Sequence, residues 1–136
     1  MKTFKLKGLE IVENQEDDVK QTKIPIIDGL VINREDGNGW LVEAYIDASH
    51  KNILEKLKEN TSEIMIQVKI TKETNEPAFF ITSIVAINDI KENRINVLFQ
   101  GNVVDVQKSK IEEMLKTIIE EGYQGASLLK KFKELI

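Results

Sequence analysis

The sequence predicts a mainly β protein of α+β class: an antiparallel β-barrel core with one inserted helix and a C-terminal pair of helices. Three observations carry that expectation. Strand-like segments outnumber helical ones, and several are joined by turns too short for parallel crossovers. Glycines at 8, 29 and 101 interrupt the longest strand-like segments, where bends would curve a sheet and help close its edges. Beyond Ser109 the spacing of apolar residues changes from two to that of a helix.

Thr3–Glu13 opens as a strand. Phe4 and Leu6 share one face and Leu9 and Ile11 the other parity, a phase change at Gly8 that a β-bulge would produce. Asn14–Gln21 is polar, with Glu16-Asp17-Asp18 in its middle, and reads as a loop. Lys23–Arg34 is extended. Asp28-Gly29 permits either a tight hairpin or one long strand bent at Gly29. The common parity of Ile24, Ile26, Leu30 and Ile32 favours the bent strand. Asp36-Gly37-Asn38-Gly39 supplies the residues a tight hairpin needs, and Trp40–Asp47 returns as its partner.

Ser49–Asn60 reads as a helix capped by Ser49 or Asp47, with Ile53, Leu54 and Leu57 as its apolar stripe. Glu63–Lys72 alternates strictly, with Ile64, Ile66, Val68 and Ile70 on one face. After a turn at Lys72–Pro77 comes Ala78–Asp89, whose eight apolar residues mark a strand buried on both faces; Phe80 and Val85 are both expected inside. Asn88–Asn93 is a polar loop, and Arg94–Gln107 a long strand broken at Gly101-Asn102. Ser109 and Glu112 have capping-box spacing. Ile111, Met114, Leu115, Ile118 and Ile119 line one helix, Gly122 ends it, and Leu128, Leu129, Phe132, Leu135 and Ile136 line the second. The expected organisation is a barrel core over residues 1–108 and a helical hairpin over 109–136 within one structural domain. The hairpin's apolar faces exceed what two short helices cover in each other, so the surplus must meet the barrel or another molecule.

A chain of 136 residues with 41% apolar and 31% charged residues has the composition of one soluble domain. Nineteen basic against 23 acidic side chains give a net charge of −4, which argues against a nucleic-acid partner. The absence of cysteine excludes disulfides, thiol catalysis and thiolate metal sites. No apolar run reaches the ~20 residues of a membrane span, and the alternating N-terminus lacks the core of a signal peptide, so a cytoplasmic protein without a membrane partner is expected.

The MKTFKLKGLEIVE, IPIIDGLVINRED and WLVEAYID segments resemble the YwpF-like family, small proteins of Gram-positive bacteria, and the similarity runs the whole chain. The resemblance implies a β-barrel core, similar to tube-forming proteins of type VI secretion, with an attached helix pair. These are fold-forming segments, and no catalytic residue is carried over through them.

Candidate chemistry is sparse. His50, the single histidine, has no partner base or nucleophile in the sequence and reads as a surface residue. Glu16-Asp17-Asp18 and Glu35-Asp36 offer carboxylate oxygens, but the calcium-loop pattern fails because Trp40 occupies the fifth position counted from Asp36. Glu112-Glu113 suits a helix start; Glu120-Glu121 sits unfavourably at a helix end. Lys130, Lys131 and Lys133 form a basic cluster without interleaved aromatics. Phosphate-loop, metalloprotease and nucleophile-elbow motifs are missing. No catalytic, cofactor-binding or metal-binding residue is therefore expected. The leading expectation is a non-enzymatic module that binds a protein partner or copies of itself. The alternative is a small-ligand-binding barrel in which Trp40, Tyr45 and Phe99 line a pocket.

Overall fold

The computed structural model describes residues 1–15, 18–35, 37, 39–104 and 108–136; for 14, 15, 18, 108 and 109 only the backbone is described. Within these residues lie β1 (Lys2–Gln15), β2 (Asp18–Lys23), β3 (Ile26–Asn33), β4 (Trp40–Asp47), a 3-10 turn (Ala48–His50), α1 (Lys51–Asn60), β5 (Ile64–Ile70), β6 (Ala78–Lys91), β7 (Arg94–Val104), α2 (Lys108–Glu120) and α3 (Ala126–Leu135). All strand pairings are antiparallel. The order β1-β3-β4-β7-β6-β5 closes on itself through β1–β5, giving a six-stranded barrel with β2 added along β1. Closure removes the sheet edges that six open strands would leave. The expected barrel with one inserted helix and a C-terminal helix pair is thus the observed fold.

The barrel interior is a solid core. Phe80, Phe99, Val31, Val42, Ile46, Ile66, Val68, Ile95 and Val97 are fully buried, and Leu54 of α1 joins the same cluster. Of the four register shifts in the described ladders, three set which side chains enter it; the fourth, between Asp89 and Lys91, lies at the exposed end of β6. In β1 the register shifts between Leu6 and Gly8, so the inward set passes from Leu6 to Leu9 and Ile11, as the phase change predicts. In β3 the shift falls between Ile26 and Asp28, leaving Ile27 as the unpaired residue. In β6 it falls between Ile84 and Ala86, leaving Val85 unpaired. An extra residue on one strand turns every later side chain to the other face.

Those last two bulges correct two expectations. β3 does run continuously through Gly29, but Val31, not Leu30 and Ile32, points inward, and Leu30 is exposed. Val85, expected in the core, is 44% exposed. β6 is buried on both faces only over Phe79–Thr82; beyond the bulge its outward face has no cover. Two expected loops are strands. Most of Asn14–Gln21 is the ladder of a β1–β2 hairpin, with Asn14 opposite Val19 and Val12 opposite Gln21. Asn88–Lys91 extends β6, and the reversal is only Glu92-Asn93, with Asn93 at φ 64°. Polar side chains on both faces conceal a strand that stands clear of the core.

The outer face of β1, β5, β6 and the end of β7 is covered by α2 and α3. Val12, Met65, Phe79, Ile81 and Val104 meet Ile111, Leu115, Ile118, Ile119, Leu128 and Phe132 in a second apolar cluster. The hairpin's surplus apolar surface therefore lies mostly on the barrel, with Leu135 and Ile136 left exposed at its end. Gly122 ends α2 at φ 98°: its amide donates to Ile119 O (2.9 Å) and that of Tyr123 to Ile118 O (3.3 Å), the paired bonds of a Schellman cap. The start of the first helical region is capped by Asp47, whose carboxylate accepts from the Ser49 amide at 3.0 Å. The side chain of Ser109, the expected cap, and the turn residues Asp36 and Asn38 lie outside the described residues, and the backbone of α2 already starts at Lys108.

Candidate barrel–hairpin cleft

A mainly apolar cleft of about 420 Å³ lies between the mouth of the barrel and the helical hairpin. Its position follows from how three elements end. α1 stops at Asn60, where the Thr61 amide and hydroxyl both donate to Leu57 O, and Ser62-Glu63 lead directly into β5. α2 stops at its Schellman cap, and α3 restarts from Gly125, so the last turn of α2 and the first turn of α3 stand over the start of β5. The floor is Val12 and Met65, directly opposite each other across the β1–β5 ladder. Leu115 and Ile119 of α2 and Leu128 and Leu129 of α3 form one wall; Leu57 and Ile64 form the other. The cleft thus spans the boundary between the two apolar clusters.

Its polar rim is Glu13, Asn60, Thr61, Ser62 and Glu63. Glu63 is held by Lys133 of α3 at 2.7 Å, a strut between the hairpin and the link from α1 to β5. Lys20 faces Glu13 across the β1–β2 ladder, but the Glu13 carboxylate has no described ion pair within 4 Å. Among the described residues, both charged groups lining the cleft are carboxylates.

The residues singled out in the sequence do not converge on this cleft or on one another. His50 stands at the junction of the 3-10 turn and α1 and makes no capping hydrogen bond. Glu35 binds the N-terminal ammonium at 3.0 Å and reaches Lys2 at 3.8 Å. Asp36, Glu16, Asp17 and the side chain of Asp18 lie outside the described residues. Of the three C-terminal lysines, Lys133 holds Glu63, Lys131 lies 5.7 Å from the centre of the Tyr123 ring, and Lys130 points to solvent. Trp40 packs into the barrel between Phe4 (6.5 Å, stacked) and Phe80 (5.4 Å, edge-on). Phe99 is fully buried, while Tyr45 belongs to the opposite, outer face of β4, so these three aromatics line no common pocket.

The carboxylates with depressed pKa values are structural. Asp28 is lowered first by its hydrogen bond with Lys5 and then by the Gly29 amide. Asp47 is lowered first by the Ser49 hydroxyl, then by the Ser49 amide and the Arg94 charge. Lys51 is raised by Asp89, a contact of 3.0 Å that ties α1 to the end of β6. No described group of three or more His, Asp or Glu side chains is placed to hold a metal ion. No described helix is long and apolar enough to cross a membrane. The sequence reading missed the cleft because its lining comes from segments far apart in the chain, from Val12 to Leu129.

A closed six-stranded antiparallel barrel carrying a helical hairpin on its outer wall, with a cleft where the two meet, defines the class of this protein. The chain belongs to the YwpF-like protein family, whose model matches residues 2–135. It is 39% identical over 137 residues to the uncharacterized protein YwpF of Bacillus subtilis (strain 168), covering 98% of each chain. A crystal structure of a hypothetical protein from Staphylococcus aureus superimposes with a TM-score of 0.72 at 30% identity, covering 98% of this chain and 91% of that one. The resemblance read from the three segments is thereby established as family membership.

Proposed function

We propose that this protein is a non-enzymatic binding module that receives an apolar segment of a protein partner in the barrel–hairpin cleft. The observation that carries the reading is the cleft itself: an apolar floor and walls, positioned by three element ends, under a rim of hydrogen-bonding groups. Such a combination of apolar body and few polar groups is the usual composition of a binding site. The barrel interior, filled by Phe80, Phe99 and their neighbours, lends no support to a site inside the barrel. A second reading, a small apolar ligand in the same cleft, is favoured by its volume of about 420 Å³, within the range of ~300–1,000 Å³ typical of ligand pockets.

Ala126 lines the cleft and is exposed, so Ala126→Trp fills the space without entering the core. Affinity capture with the wild type and with this variant, both checked for an unchanged melting temperature, tests the reading. A partner recovered by the wild type and lost with Ala126→Trp is the expected result. A partner retained equally by both overturns the cleft as the binding surface. A small molecule co-purifying with the wild type alone selects the second reading.

A further inference from the structure

Resting on the cleft as the binding surface, we infer that its occupant is a peptide segment pairing an aliphatic side chain with a lysine or arginine. The argument is charge complementarity. Both ionisable side chains among the described lining residues, Glu13 and Glu63, are carboxylates. Glu63 is already matched by Lys133, so Glu13 is the carboxylate left to meet an incoming cation. Lys20, opposite Glu13 in the ladder, approaches no described carboxylate within ion-pair distance, so it moderates the field without closing the position.

The backbone adds to the same sign. Leu57 and Asn60 lie in the last turn of α1, and Leu115 and Ile119 towards the end of α2, so two helix C-termini reach the cleft against one N-terminus, that of α3 at Gly125-Ala126. A C-terminal helix end carries partial negative charge. An aliphatic side chain fits the floor of Val12 and Met65, while an adjacent basic side chain reaches the rim at Glu13. Long basic side chains suit such a boundary because their methylene stems lie on apolar surface while the charge stays in water.

The test uses three capped probes on the full chain: acetyl-Leu-Lys-Leu-amide, its Gln counterpart and its Glu counterpart, titrated while the methyl signals of Met65, Leu115 and Leu128 are followed by NMR. The lysine probe should bind about three- to tenfold more tightly than the glutamate probe, the scale of a partly exposed charge contact. That preference should shrink in 0.5 M salt, where the screening length falls to roughly 4 Å. Glu13→Gln, a near-isosteric change at a half-buried rim residue outside both apolar clusters, should remove most of it. Equal binding of the three probes at the cleft overturns the charge inference and leaves the cleft as a site. No perturbation of these methyls by any probe overturns both. Tight binding of n-hexylamine without binding of the lysine probe overturns the peptide as occupant and selects a small cationic amphiphile.

Discussion

Substituting Gly101 by alanine is the sharpest test of the barrel geometry. Gly101 pairs with Trp40 of β4 on one side and Thr82 of β6 on the other. A Cβ at this position would lie 2.0 Å from Ile81 O and 2.7 Å from Thr82 Cα, whereas real Cβ contacts are essentially never under 3.0 Å. At least about 1 Å must therefore be found between two backbones, since no side chain can move aside. A ladder bond of ordinary length, stretched by that much, is no longer a hydrogen bond. Losing two ladder bonds costs about 1–3 kcal/mol, and overpacking adds about 1–3 kcal/mol, for a total of roughly 2–6 kcal/mol. Gly8→Ala is the control, because its new Cβ meets Cγ and Cβ of Lys69 at 3.0 and 3.2 Å and backbone only at 3.8 Å, a smaller overlap that should cost about 1 kcal/mol. Urea titration can follow the fluorescence of Trp40, the only tryptophan, which packs half-buried against the core at Phe80. With a slope on the order of 1.5 kcal/mol/M, Gly101→Ala should lower the midpoint by about 1–4 M and Gly8→Ala by under about 1 M. Matching midpoints for the two variants would refute the claim that β6 and β7 approach too closely for any side chain at 101.

Phe80→Ala should destabilise by about 3–5 kcal/mol in the same titration, while Val85→Ala, at an exposed bulge, should stay within about 0.5 kcal/mol of wild type; equal losses would show that β6 is misregistered. Deleting Lys108–Ile136 should uncover Val12, Met65, Phe79 and Ile81, so the truncated barrel should aggregate or melt early by calorimetry; unchanged melting would mean the hairpin does not protect the sheet. Asp47 has its pKa lowered by folding, so its contribution is present above its unfolded value, near 3.8, and is lost as pH falls through the lower folded value. Asp47→Asn should accordingly flatten the acid limb of the stability curve below about pH 4 and leave no pH dependence from this site near neutrality; an acid limb identical to wild type removes the Ser49 and Arg94 contacts from the account.

Periodicity alone places much of this fold. The β-bulge in β1 is legible because the inward residues Leu6, Leu9 and Ile11 stand among charged ones, so the phase change shows in the pattern itself. The alternation of Val42, Ala44 and Ile46, and of Ile95, Val97 and Phe99, is legible for the same reason. In β3 and β6 apolar residues occupy both parities, so the sequence cannot mark the residue that bulges out. Only pairing with β4 and β7, whose inward faces are fixed, singles out Ile27 and Val85. The partner of the C-terminal hairpin is likewise a tertiary matter. The helical stripe containing Leu115 and Leu128 shows that apolar surface must be covered, but not by what; the outward face of β5, with Met65 buried beneath the helices, supplies the answer. The cleft lies furthest from the sequence, because a concavity belongs to no single segment. It exists where α1 and α2 end and α3 begins over one end of β5, and chain closure in three dimensions brings Glu13, Glu63 and Leu129 to the same opening.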